Sequence, residues 1–160
     1  MLFVLGSVHL LSVDKFALDS VQEGKTQIQF ELGELHLETI GEFTRIATPN
    51  TGRTTDEGMP ELPLYSTLVQ VDPEKTYDVN YSVINSHVLK NVKVYPFQNN
   101  KEAKDPSKID HLDQEYYLSG ATYPEENLIV SDRLAMRELQ LLNISVVPFR
   151  YDPLKNEMIV

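Results

Sequence analysis

Two prolines three residues apart, Pro60 and Pro63, with Gly58 just ahead of them, rule out a helix in this stretch of the 160-residue chain. Proline fixes φ at about −65° and removes an amide donor, and glycine is free to take positive φ. The residues before the two prolines, Met59 and Leu62, are pushed to extended backbone. The chain therefore enters the apolar run Leu64–Val71 already stretched out, and that run is predicted to be a strand whose direction the turn sets. A rigid turn feeding a long apolar strand makes this a β-protein organised from its middle.

The flanking sequence agrees. From Thr26 to Leu32, Ile28, Phe30 and Leu32 alternate with Gln27, Gln29 and Glu31, the pattern of a half-buried strand. Alternation resumes over Glu34–Ile40 and Phe43–Ala47, with Gly33 and Gly41 as punctuation, so a three-stranded meander is expected. Tyr77–Val83 alternates in the same way, and Val88, Val92 and Val94 line one face of the next segment with Lys90 the exception, which predicts a long antiparallel hairpin with Asn85-Ser86 at its tip. Ser12–Gly24 reads as a connection, Thr48–Glu57 as a loop and Asp72–Lys75 as a type I turn. The polar segment Asn99–Gln114 reads as a surface loop or short helix, after which Tyr116, Tyr117 and Leu118 resume the apolar pattern. Arg133–Val147 supports two readings. Ala135, Leu139 and Leu142 have helical spacing, while Ile144, Val146, Val147 and Pro148 favour a strand in the second half. Asp152–Asn156 is a turn that returns the chain as a last strand. The predicted fold is all-β, an antiparallel, jelly-roll-like β-sandwich of about ten short strands with at most one short helix.

Composition removes several functional classes. A net charge of −10 and a pI of about 4.8 oppose binding to phosphate backbones and anionic lipid, so nucleic acid is not an expected partner. With no cysteine there is no disulfide, no thiolate metal site and no cysteine nucleophile. The apolar run Leu2–Leu11 is too short to span a bilayer and lacks a preceding Lys or Arg. Residues 1–24 are expected to be an N-terminal extension; the apolar run within it reads either as a signal remnant or as a first buried strand or helix turn. Residues 25–160 are expected to form one β-sandwich domain.

Taken in order, Gly58-x-Pro60-x-Leu62-Pro63, the Val-rich segment ending at Pro96, Tyr123-Pro124, and the closing Pro148-Phe149-Arg150-Tyr151-Asp152-Pro153 make a set. The set resembles the N-terminal propeptide of gingipain-type secreted cysteine peptidases, in which a Pro-x-x-Tyr-Asn-Pro turn commonly closes the domain. Here Asp152 stands in the Asn position, a change that still suits a turn. The resemblance implies a jelly-roll-like propeptide that assists folding of a C-terminal cysteine peptidase catalytic domain, present in cis in the parent protein. It would hold that domain latent by covering the active-site cleft until it is cut away. It also implies a secreted protein in transit through a bacterial envelope. The structural motif residues are then Gly58, Pro60, Leu62, Pro63, Pro148, Tyr151 and Pro153; the catalytic Cys and His of such enzymes have no counterpart here.

An inhibitor of this kind offers an exposed side chain to a specificity pocket. Lys101, Lys104 and Lys108 of the polar segment are the first choice and Arg53 the second, either suiting an acidic pocket. The bland reading is that the lysines solvate a loop. Asp105, Asp110, Asp113 and Glu115 suggest a weak Ca²⁺ loop but lack the central glycine of an EF-hand, so no cofactor is expected. His9, His36, His87 and His111 match no zinc spacing, and pairing carboxylates such as Glu34, Glu38 or Glu61 would be arbitrary among 24 acids. Arg133, Arg137 and Arg150 read as partners for those acids or as contacts to a catalytic domain. No nucleophile elbow, phosphate loop or His-Glu-x-x-His occurs, so this chain alone is not expected to be an enzyme. The competing reading is a free-standing carbohydrate-binding or adhesion module, which needs an exposed platform drawn from Tyr65, Tyr77, Tyr81, Tyr95, Tyr116, Tyr117, Tyr123 and Tyr151.

Overall fold

The computed structural model describes residues 2–4, 9–10, 15–22, 25–48, 51–99, 105 and 108–160. The chain is nearly all-β, with antiparallel pairing between its strands, one short helix among the described residues and no closed barrel. Two compact units share it. The first takes residues 1–33, 65–85 and 128–146, and the second 34–64, 86–127 and 147–160.

The first unit contains two sheets. One runs in the order β3 (Phe16–Gln22), β4 (Lys25–Phe30), β1 (Leu2–Val4), β9 (Val79–Tyr81). The other runs β11 (Leu128–Val130), β13 (Leu139–Val146), β8 (Pro63–Val71), β2 (His9–Leu10), with β12 (Leu134–Met136) also on β13. The predicted strand after Pro63 forms as β8, and its burial alternates: Tyr65, Thr67, Val69 and Val71 are buried and Ser66 is exposed. The register sets Leu142 opposite Val69 and Ile144 opposite Thr67, so buried groups meet across the pair. On the other face the Ser66 and Ser145 hydroxyls meet at 2.7 Å. Phe30 stacks on Phe16 at 5.0 Å and reaches Tyr65 of the second sheet at 5.2 Å, which fastens the two layers around buried Ile28.

The second unit is made of shorter pieces. β5 (His36–Ile40) and β6 (Phe43–Ala47) form a hairpin whose turn uses Gly41 at φ +60°. β7 (Gly52–Arg53) pairs with the start of β8, and β10 (Val88–Lys90), β15 (Glu157–Ile159) and β14 (Arg150–Asp152) form a three-stranded sheet. Helix α1 (Gln114–Leu118) is capped by Asp113, whose carboxylate accepts the Tyr116 amide at 2.9 Å. Phe149, Tyr151, Met158, Val94, Ile46 and Leu62 fill this unit's core.

Several segment expectations are corrected. Ser12–Gly24 is no mere connection, since Phe16–Gln22 is a strand; Asp19 sits at a register shift that hid the alternation. The two Val-rich segments do not pair with each other: β9 joins β1, and β10 joins β15 with Lys90 3.6 Å from Glu157. Alternation specifies a strand and its buried face but leaves the partner open. For the same reason β4 pairs with β3 and β1, leaving β5 and β6 to each other. Tyr116–Leu118 is helical because the Asp113 cap outweighs the apolar run, and Leu134–Val146 forms two strands turning at Arg137.

Candidate functional site

The Gly58 motif is the centre of the second unit. Gly58 takes φ +78° and is buried; a Cβ there would stand 2.5 Å from His111 Cδ2 and 2.8 Å from the Asp113 amide, so the position tolerates only glycine. The strand-like lead-in predicted for Pro60–Pro63 is held by main-chain bonds. Glu61 N–H donates to Tyr95 C=O at 2.8 Å, and Pro60 bridges Pro96. Thr54 closes it from the other side, its hydroxyl donating to Pro60 C=O at 2.8 Å and accepting from Leu62 N–H at 2.9 Å.

Glu61 is only 7% exposed, and its carboxylate faces two guanidiniums. Arg53 donates to it in a short hydrogen bond, and Arg45 Nε lies 3.2 Å away while its guanidinium covers the Tyr95 ring at 4.2 Å. Arg53 is thus held by an ion pair and is about one-third exposed, with its side chain at 30%. Its role in the sequence reading was that of a free basic side chain on a loop; the structure places it on β7, against Glu61.

The closing motif builds a second polar-aromatic cluster. Tyr151 is wholly buried and Pro153 is buried beside it. Asp152 does what the Asn of the motif would do, accepting the Leu154 and Lys155 amides at 3.1 and 3.2 Å. Its ammonium partner Lys155, 2.6 Å away, holds its carboxyl below the usual range. Around Tyr151 the hydroxyls of three tyrosines anchor neighbouring turns. Tyr117 donates to Val94 C=O at 2.9 Å, Tyr116 to Tyr151 C=O at 3.3 Å and Tyr123 to the Asp56 carboxylate at 2.7 Å. Burial pushes all four phenols up, Tyr151 to about 12. Tyr65, Tyr95, Tyr116, Tyr123 and Tyr151 being buried, the exposed row that a sugar platform requires does not form.

Of the lysines, Lys108 is described: it is exposed and lies 3.5 Å from Asp110. Lys101 and Lys104 lie outside the described residues. Asp113 is spent on the helix cap, and among the described residues no group of three or more His, Asp or Glu is gathered to hold a metal. Arg150 donates to the Thr122 hydroxyl at 3.2 Å, and Arg133 to the carbonyls of Pro73 and Lys75.

The residue that sequence reasoning missed is Gln98. Its Oε1 accepts the Asp110 and His111 amides, both at 2.9 Å, and its Nε2 donates to His111 C=O at 2.7 Å. Gln98 precedes the lysine-bearing segment and Asp110-His111 follow Lys108, so one side chain ties the two ends together. A lone glutamine before a polar run gives no sequence signal. The buried Glu61 was equally hidden, being one acid among 24.

No curated protein matches the chain. Two solved structures resemble it closely in fold. One is a complex of the pro- and mature domains of RgpB from Porphyromonas gingivalis, 18% identical, with a TM-score of 0.71, covering 96% of this chain and 79% of that one. The other, solved for the zymogenic latency of gingipain K from the same organism, is 19% identical, with a TM-score of 0.72, covering 96% and 93%. At such identities these are likenesses of fold alone. The sequence itself matches Propeptide_C25 over residues 12–160, and the chain belongs to that family, the propeptides of gingipain-type cysteine peptidases.

Proposed function

We propose that this domain serves a gingipain-type cysteine endopeptidase as intramolecular chaperone and latency inhibitor, covering the catalytic cleft until proteolysis removes it. The match to the propeptide family over residues 12–160 carries the reading. The chain itself supplies no catalytic nucleophile of the peptidase, having no cysteine. Its partner is the C-terminal catalytic domain of the parent protein, and the parent is secreted through a bacterial envelope. Among the described residues no helix is long and apolar enough to cross a membrane. The segment bearing Lys101, Lys104 and Lys108 is the element that enters the cleft; exposed Lys108 supports it, whereas Arg53 is committed to Glu61 and ranks second.

The test is inhibition of a separately expressed gingipain-type catalytic domain by the 160-residue chain added in trans. Stoichiometric inhibition that weakens when Lys101, Lys104 and Lys108 are replaced by Ala is the expected result. Inhibition that is indifferent to those changes discards the lysine segment, and a folded chain that fails to inhibit its cognate domain discards the function.

A further inference from the structure

One sheet edge of the first unit is open. β11 ends its sheet, and no described strand lies beyond it. Ser131 N–H donates to Asn143 C=O at 2.9 Å, so the main chain at 131 faces β13. Main-chain groups of an antiparallel strand alternate in direction every residue. Ile129 therefore also bonds inward, and the N–H and C=O groups of Leu128 and Val130 point away from the sheet. The rim is apolar on both faces: Ile129, opposite Ser145, is 49% exposed, and Val130, opposite Ile144, is 37% exposed. Edges of this kind are usually blunted by a charge, a proline or a bulge. β3, an end strand of the unit's other sheet, has Asp19 at a register shift, whereas β11 has none of these devices.

Carboxylates bracket the open triplet in sequence. Glu125 and Glu126 precede it and Asp132 follows; all three are exposed, and none has an ion-pair partner among the described residues. Arg133, the next residue, is held by the carbonyls of Pro73 and Lys75. On a chain of net charge −10 this acidic rim favours a basic partner. It disfavours a second copy: antiparallel pairing about Ile129 would set Glu126 of one chain against Asp132 of the other.

We propose that β11 is a docking edge for an extended segment of the catalytic domain, apolar at its centre with Lys or Arg at its ends, which joins the sheet as a further strand. This rests on the function proposed above. The outward groups of Leu128 and Val130 supply the main-chain bonds, which are indifferent to sequence. The apolar rim and the bracketing carboxylates choose the partner.

The experiment follows amide hydrogen exchange in the 160-residue chain, free and saturated with the separately expressed catalytic domain, and measures inhibition by three variants. The Leu128 and Val130 amides should exchange rapidly in the free chain and become protected in the complex. Val130→Pro removes an outward donor and leaves the inward ladder whole, while Ile129→Lys puts a cation on the rim. Each should raise the inhibition constant about tenfold, the equivalent of one or two net hydrogen bonds, with the melting temperature close to wild type. The double variant Glu126→Lys with Asp132→Lys should also weaken inhibition and should flatten its dependence on salt. Should Val130→Pro fail to fold, Ile129→Lys decides. Unchanged inhibition constants in the folded variants, or amides that stay unprotected in the complex, would overturn the proposal. Protection that grows with concentration in the chain alone would assign the edge to a second copy and overturn it as well. Failure of the wild-type chain to inhibit is a separate result, which removes the propeptide reading and this contact with it.

Discussion

The two units of this chain solve the problem of cohesion differently. The first relies on strands long enough to register themselves: β8 and β13 run side by side from Tyr65 to Val71, and Val69, Leu142 and Ile144 meet in the same layer. The second has strands of two to five residues, apart from the start of β8, and holds them with polar bonds at buried or half-buried points. Its connections are tied by Thr54, Glu61, Gln98, Asp113, the phenol of Tyr117 and the Asp152 turn. Apolar packing is indifferent to a connection's path, whereas a hydrogen bond to a particular carbonyl fixes it. A unit built of short strands gains from the second method.

The largest way to separate the two is alkali. Tyr116, Tyr117, Tyr123 and Tyr151 all belong to the second unit, and burial raises all four above their ordinary value. A phenol whose folded pKa is raised favours the protonated folded form, so its stabilisation is complete below pH ~10, the unfolded value, and declines above it. For Tyr151 the loss runs on through about 12. Each such phenol costs about 1 kcal/mol for each pH unit above 10, and four together cost about 4 kcal/mol by pH 11. A steep fall in melting temperature between pH 10 and 11 is expected, with tyrosinate absorbance from these four appearing only as structure is lost. Free titration of all eight tyrosines in the folded chain would refute the burial argument.

Substitutions of matched size come next. Ile144→Ala in the first unit removes wholly buried apolar volume and should cost about 3–4 kcal/mol in urea unfolding. Glu61→Ala in the second leaves Arg45 and Arg53 facing each other without their carboxylate. Removing one partner of a buried pair costs about 3–5 kcal/mol; the partial exposure of both arginines brings the expectation down to about 2–3 kcal/mol. Replacing Glu61 by Gln, which keeps an acceptor, should recover part of this. If Glu61→Ala proves neutral, the second unit is held by its apolar core and the contrast fails.

Gly58→Ala probes the turn on which the His111 ring sits. A φ of +78° and the His111 ring both resist a Cβ, and a loss of about 2 kcal/mol is expected. The same substitution at Gly120, where a Cβ meets only Leu154 Cδ1 at 3.7 Å, should be nearly neutral and serves as the control.

The contrast also explains what could be read beforehand. The strand after Gly58 was visible because two prolines deliver an apolar run already extended, and the strand Thr26–Leu32 because its apolar residues recur every second position; both lie mainly in the first unit. Their partners were not visible, since pairing joins segments as distant as Leu2 and Tyr81 or Val88 and Ile159. Nor was the division into units, because each is assembled from three stretches of chain and no linker separates them. In the second unit the glycine and prolines announced a turn, and Pro148–Pro153 another. What those turns support was silent: Gln98, Glu61 and Asp56 act through side-chain bonds to distant backbone or side chains, which leave no periodicity in sequence.

The smallest effects, of opposite sign, test whether the second unit's turns are the better adapted. Among its described residues, Asn91 at +58° and Asn156 at +49° are the non-glycine residues at positive φ, and asparagine accepts that region more readily than other side chains. The first unit places Arg137 at +57° in the two-residue turn between β12 and β13. Arg137→Asn should therefore stabilise by about 0.5 kcal/mol, while Asn91→Ala should destabilise by about 1 kcal/mol. Differential melting of the two variants at neutral pH reads both. A loss on Arg137→Asn would mean that the arginine makes contacts in this turn outweighing its backbone strain, and the first unit's hairpin would then have to be counted among the places where a polar side chain, not packing, fixes the chain.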